Sequence, residues 1–283
     1  MKKWLWIPII LIVLILAVCA ILLWIYTDNT SLQTTTYSIS HEKIPTEFNG
    51  FRIAQVSDLH NAQFGEKNGD LIALLAQSDP DIIVFTGDQL DARNCDIDLV
   101  WDFMGQAVQI APCYLVSGNH EGSIPGIWLF HKQLENLGVT VLDDEVTELS
   151  YNGAVIDLIG LQDPTMNGRY YSHGAKAALE MALQELDRDE NRFSILLAHC
   201  PEFLYVYERN GIDLALCGHN HGGQIRINGR GLISAGKELF PEYDSGVYTL
   251  KDATMVLSRG LGNSIFPWRV NNPPELVIVE LVA

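Results

Sequence analysis

The chain opens on one long apolar block and then settles into short alternating runs. Residues 4–26, "WLWIPIILIVLILAVCAILLWIY", are apolar throughout and carry no charge. At about 1.5 Å per helical residue, such a block spans the ~30 Å hydrocarbon core of a bilayer. The sequence therefore predicts a transmembrane anchor within residues 1–26. A cleaved signal peptide is the competing reading, but its apolar region is normally only about 7–15 residues long. A lipoprotein-type cut before Cys19 would place bulky Val18 just ahead of the cleavage point. Residues 27–48 are polar and rich in Thr and Ser, and read as a stalk that becomes the first strand.

From 49 to 283 the pattern is that of one domain with a sizeable core. Strand-length apolar runs recur at 51–56, 81–86, 112–117, 154–160, 193–198 and 213–217. Helix-like segments lie between them at 68–78, 95–108, 124–138 and 175–186. This alternation predicts a sheet covered by helices. Near the end, "QIRING", "SGVYTL", "ATMVLS" and "ELVIVELV" are strands joined by short turns, which predicts antiparallel pairing. The expected fold class is α/β: a two-sheet sandwich flanked by helices and preceded by one transmembrane helix.

Charge narrows the choice of partner. Eighteen Lys and Arg face 35 Asp and Glu, for a net charge of −17. Such a surface repels nucleic-acid phosphates, so no DNA or RNA partner is expected. Attachment to the bilayer must then come from the helix and not from a basic patch. Lys2 and Lys3 precede the apolar block, whereas Asp28 and Glu42 follow it with only Lys43. This asymmetry predicts a cytoplasmic N-terminus and an extracytoplasmic domain. The five cysteines form no C-x-x-C pair. A Cys200–Cys217 bridge would suit an exterior location without being required by the sequence.

The chemistry lies where the strands end. "FRIAQV" runs into Ser57-Asp58-Leu59-His60, and "DIIVFT" into Gly87-Asp88-Gln89-Leu90-Asp91. "PCYLVS" runs into Gly118-Asn119-His120-Glu121, "FSILLA" into His199, and "DLALC" into Gly218-His219-Asn220-His221. Ligands of open α/β sheets bind outside the carboxyl ends of the strands. Five strands pointing one way would bring these groups to one edge. The residue before each is small, which lets the backbone turn tightly. Imidazoles and carboxylates together suit Mn, Fe or Zn. Seven candidate ligands are too many for one tetrahedral centre but suit two ions, roughly 3.5–4 Å apart, that share a carboxylate.

The set D-x-H, G-D-x-x-D, G-N-H-E, a lone His and G-H-x-H, in this order and spacing, resembles the calcineurin-like metallophosphoesterases. That resemblance implies two divalent ions, with Asp58, His60 and His221 as ligands of the first and Asn119, His199 and His219 of the second. It implies Asp88 as the bridging carboxylate, and His120 as the catalytic residue at the scissile phosphate and leaving oxygen. "GHNHGGQIRI" and the tail "SRGLGNSIFPWRVNNPPELVIVEL" resemble a bacterial membrane-associated branch of phosphodiesterases and UDP-2,3-diacylglucosamine hydrolase-like enzymes. Within the tail, Arg259 and Arg269 are expected near the phosphate, since a guanidinium fork matches its oxygens. The implied activity is hydrolysis of a phosphodiester or pyrophosphate, with a lipid or nucleotide-linked lipid as the substrate class. The rivals are a phosphomonoesterase or protein phosphatase, and a non-catalytic metal-stabilised module.

Other residues have plainer readings. His41 belongs to the stalk and His131 to a helix surface. His173 sits in a loop, 164–174, that could shape substrate access. Asp91 is expected to orient a ligand, and Glu121 to do the same or to cap its turn. Cys200 and Cys217 read as small buried residues. Phe266 and Trp268 fit either a lipid contact or core packing.

Overall fold

The computed structural model describes residues 6–166, 174–264 and 266–283. Helix α1 (Trp6–Thr30) has no buried residue and is long and apolar enough to cross a membrane. Only Ser31 and Leu32 separate it from strand β1 (Gln33–Ser40). The segment read as a stalk therefore enters the sheet almost at once.

Two six-stranded sheets form the domain. The first comprises β1, β2 (Arg52–Val56), β3 (Ile82–Thr86), β4 (Cys113–Val116), β5 (Val139–Val141) and β14 (Glu275–Val282), in the order β1-β14-β2-β3-β4-β5. The second comprises β6 (Glu145–Tyr151), β7 (Ala154–Gly160), β8 (Ser194–Leu197), β9 (Leu214–Cys217), β12 (Gly246–Leu250) and β13 (Ala253–Leu257), in the order β12-β13-β9-β8-β7-β6. A small ribbon of β10 (Arg226–Ile227) and β11 (Arg230–Gly231) stands apart.

Period-two alternation sends each central strand's side chains to two apolar layers. In β3, Ile82 and Val84 point between the sheets, where they meet Leu158, Ile195, Leu216 and Val277. Ile83 and Phe85 point outward beneath α2 (Gly69–Gln77), α3 (Ile97–Ala107) and α5 (Ile127–Leu137). The short turn α4 (Asn119–Gly122) precedes α5. The second sheet is covered on its outer side by α6 (Ala175–Glu185) and α7 (Leu204–Arg209). Strands buried on both faces have no polar side to show, which is why these runs are continuously apolar. Truncating a fully buried side chain such as Phe85 to Ala costs about 3–5 kcal/mol.

The antiparallel expectation for the last strands holds for β12 with β13 and for β14 with β2. It fails for β13 with β9 and β14 with β1, which pair parallel. His131 also differs from its sequence reading. It is buried in α5, with Nε2 3.2 Å from the Ser117 hydroxyl and Nδ1 3.6 Å from Asp143. It shares the face of Ile127, Phe130 and Leu134, and that face packs inward.

Candidate metal centre

β2, β3 and β4 end on one sheet, and β8 and β9 on the other, with their carboxyl ends side by side. Buried Gln55 ties the sheets together just below the site, donating from Nε2 to Thr86 Oγ1 (3.0 Å) and to the Cys217 carbonyl (2.8 Å). Within each sheet backbone bonds join neighbouring loops: Asp58 N–H donates to Gly87 O, His60 N–H to Asp88 O, and Gly218 N–H to His199 O.

These turns are tight. Asp58, His60, Asp88, His219 and His221 all have φ between 46° and 76°, the left-handed region that non-glycine residues seldom occupy. Strain of this kind persists only where the surroundings hold it, and it concentrates at functional sites. A Cβ on Gly118 would lie 2.3 Å from Asp88 Oδ1, so only glycine permits this approach.

The seven expected ligands come together in two groups. Asp58, His60 and His221 each offer an atom within 4.8 Å of the others, and so do Asp88, His199 and His219. In the first group, His60 Nε2 is 3.1 Å from His221 Nε2, which is 3.4 Å from Asp58 Oδ1. In the second, His199 Nε2 is 3.1 Å from both His219 Nδ1 and Asn119 Oδ1. Asp88 joins them, with Oδ2 3.5 Å from His60 Nε2 and 3.3 Å from His199 Nε2. Cys200 and Glu202 lie within reach of His219 as a further group.

The ring nitrogens are aimed by their other hydrogen bonds. His199 Nδ1 is 2.9 Å from the Thr86 carbonyl, and His221 Nδ1 is 3.2 Å from that of Gly262. A carbonyl only accepts, so each Nδ1 carries a proton, and each Nε2 faces inward.

This donor set fits divalent cations. Among the described residues buried His60 Nδ1 has no partner, and its Nε2 crowds together with His221 Nε2 and Asp88 Oδ2, as ligands of a cation do. The titration behaviour agrees. Burial pushes His60 down to about 3, and His221 well below its usual value. Burial alone would also lower His199, but the Asp88 carboxylate outweighs it and holds this imidazole well above its usual value. Burial would raise Asp88, yet His199 outweighs that and holds it well below the carboxylate range. Burial raises Asp58. One carboxylate between two imidazoles thus attracts positive charge to the middle of the pocket.

His120 and Asp91 flank this centre. The Ala92 N–H donates to His120 Nδ1 at 3.1 Å, which places the ring proton on Nε2. Asp91 Oδ1 is 3.4 Å from the same nitrogen, and the His60 ring meets His120 edge-on with centroids 4.4 Å apart. Buried Glu121 does more than cap a turn. Its Oε2 accepts from the N–H of Asp88 (2.8 Å) and of Gly118 (2.9 Å), and its Oε1 from that of Leu90 (2.8 Å).

A calcineurin-like phosphoesterase family model matches residues 51–223, which contain all seven ligand positions. The chain belongs to that family. This phosphoesterase is a metal-dependent phosphoester hydrolase. It is 29% identical over 268 residues to the uncharacterized metallophosphoesterase YkuE of Bacillus subtilis, covering 90% of this chain and 87% of that one. It is 29% identical over 237 residues to the phosphodiesterase YaeI of Escherichia coli, covering 82% of each. The fold is similar to the crystal structure of a dimetal phosphatase from Danio rerio, with TM-score 0.50 and 13% identity over 75% of this chain and 88% of that one.

The two arginines of the tail both have protein partners. Arg269 is fully buried, and its guanidinium donates to the carbonyls of Gly262, Arg259 and Asn272. Its NH2 also lies 3.5 Å from His221 Nδ1. It props the loop that holds His221, and its donors are spent on the protein. Arg259 pairs with Glu275 at 2.9 Å. Cys200 and Cys217 are free thiols; Cys200 Sγ donates to Asp163 Oδ2 at 3.3 Å. Most of the loop around His173 lies outside the described residues.

Proposed function

We propose that this chain is a membrane-anchored phosphodiesterase whose site holds two divalent ions, one at Asp58, His60 and His221, the other at Asn119, His199 and His219. Asp88 serves both. The observation that carries this reading is the position of the Asp88 carboxylate, within 3.5 Å of an imidazole from each half. When bound, such a pair of ions supplies charge neutralisation and an activated water to in-line attack on phosphorus.

The protein's own groups do the rest. Asp58 and Asp88 balance the positive charge. The carbonyls of Thr86 and Gly262 fix which nitrogen of His199 and His221 faces inward. His120 points its Nε2–H at the leaving oxygen and stabilises it by a hydrogen bond as the P–O bond breaks. The Ala92 N–H holds that ring in place through Nδ1.

A diester is favoured over a monoester because a relative across 82% of this chain is named a phosphodiesterase. The anchor favours a lipid-linked substrate, since tethering raises the local concentration of bilayer components. Lys2 and Lys3 favour a cytoplasmic N-terminus with the domain outside.

The test uses the full-length chain in detergent, stripped with a chelator and reloaded with Mn²⁺. Faster hydrolysis of bis-p-nitrophenyl phosphate than of p-nitrophenyl phosphate supports the reading. Monoester preference overturns the substrate class, and no turnover of either points to the binding module. A fragment starting near residue 45 would be unsuitable, because it would lack β1 and expose the edge of β14.

A further inference from the structure

The end of α1 is fastened to the loop that carries the exposed aromatics. Asn29 Oδ1 accepts from Arg269 N–H (2.9 Å) and from Asn263 Nδ2 (3.2 Å), and its Nδ2 donates to the Arg269 carbonyl (3.0 Å). Asp28 accepts from the N–H of Asn271. The apolar block ends at Tyr26, so these contacts fall about 5 Å further along the helix axis. Segment 263–271 therefore sits at the level where α1 leaves the apolar phase.

That segment displays large apolar side chains outward. Phe266 is 39% exposed and Trp268 is 52% exposed. A second segment, 225–240, is stitched to it: Arg226 N–H donates to Val270 O (2.9 Å), and Val270 N–H to Gln224 O (3.3 Å). Its tip exposes Leu239 (66%) and Phe240 (48%). Exposed Arg230 lies over the Phe240 ring, 5.9 Å from its centroid, and exposed Lys237 is close by. In a chain of net charge −17, cations set among aromatics are out of character with the whole. The two segments meet around a cavity of about 70 Å³ lined by Ile233, Ala235, Lys237 and Phe266, with His221 in its wall.

Interfacial aromatics, flanking cations and continuity with a bilayer-length helix are the marks of a surface that lies in the headgroup region. Arg and Lys there match lipid phosphates. We propose that segments 225–240 and 263–271 form a membrane-seating face, with Leu239, Phe240, Phe266 and Trp268 in the headgroup–acyl boundary and Arg230 and Lys237 on lipid phosphates. The occupant is the bilayer itself. The His221 side of the metal centre then faces the lipid. This placement rests on the reading of α1 as an anchor.

The test reads Trp268 alone. Trp4, Trp6, Trp24, Trp101 and Trp128 are replaced by Phe in the full-length chain. That chain is placed, one copy per disc, in nanodiscs of phosphatidylcholine and phosphatidylglycerol with dibrominated acyl chains. The expected result is a drop of about twofold or more in Trp268 emission relative to unbrominated discs, with protection from aqueous acrylamide. Free quenching by acrylamide and none by brominated lipid overturns the seating face. Quenching protection that appears only in discs holding two copies also overturns it, because a second chain is then the cover. Alkaline carbonate extraction separates the two readings. A chain that stays in the membrane with Trp268 exposed to water loses the seating face but keeps the anchor. A chain released by carbonate loses both.

Discussion

The Glu121 carboxylate accepts the backbone N–H of Asp88 at 2.8 Å. Through this bond the loop after β4 fixes the loop after β3, which carries the one carboxylate shared by both halves of the centre. Glu121→Gln keeps the shape but turns a donor group toward N–H groups. We expect a loss of about 1–3 kcal/mol in stability. Metal occupancy should fall in parallel. A thermal melt with metal analysis of the same sample checks this; wild-type occupancy in the variant would show that Asp88 needs no such support.

Asp88→Asn removes the charge facing both His60 and His199. Turnover should fall by at least about 10²–10³-fold, the scale of losing one preorganised electrostatic group. Elemental analysis should find both ions depleted together. Loss of one ion only would mean that the two halves do not share this ligand.

His120→Ala should be selective in what it damages. If His120 stabilises the leaving oxygen by a hydrogen bond, its removal costs about 10²–10³-fold for an alkyl leaving group. A p-nitrophenolate leaves without help and should lose far less. A plot of rate against leaving-group pKa should be steeper for the variant. Equal slopes would assign His120 to binding and not to stabilising the leaving oxygen.

Gly218→Ala tests how closely the two sheets approach. The new Cβ would lie 1.9 Å from Ser57 Oγ and 2.3 Å from Asp58 Oδ2. Overpacking of this kind costs about 1–3 kcal/mol. Adding Ser57→Ala should recover part of the loss, and the coupling can be read from a double-mutant cycle. Additive effects would place the strain elsewhere.

Much of this was written locally. Each apolar run, its small turn residue and the polar group after it form a continuous signal, so β2, β3, β4, β8 and β9 and their loops could be read directly. Their division between two sheets could not, because pairing partners lie far apart in sequence. β1 shows the difficulty: "QTTTYSIS" is polar, and its partner β14 is about 240 residues away. Short β5 and half-exposed β6 lacked a strong apolar pattern. His131 was legible in hindsight, since it falls four residues after Ile127 on the apolar stripe of α5. Arg269 was not: nothing in its neighbours announces a guanidinium donated to three carbonyls. Glu121 was half legible, as the last residue of G-N-H-E, but its three N–H partners come from two separate loops.

The pairing of β1 with β14 also sets an order of events. The segment just beyond α1 can find no edge to join until residues 275–282 have been synthesised. The first strand must therefore wait, extended and unpartnered, for the last one. Closure of the domain and its fastening to α1 become a single late step. A chain that stalls before β14 is left with a loose end beside α1.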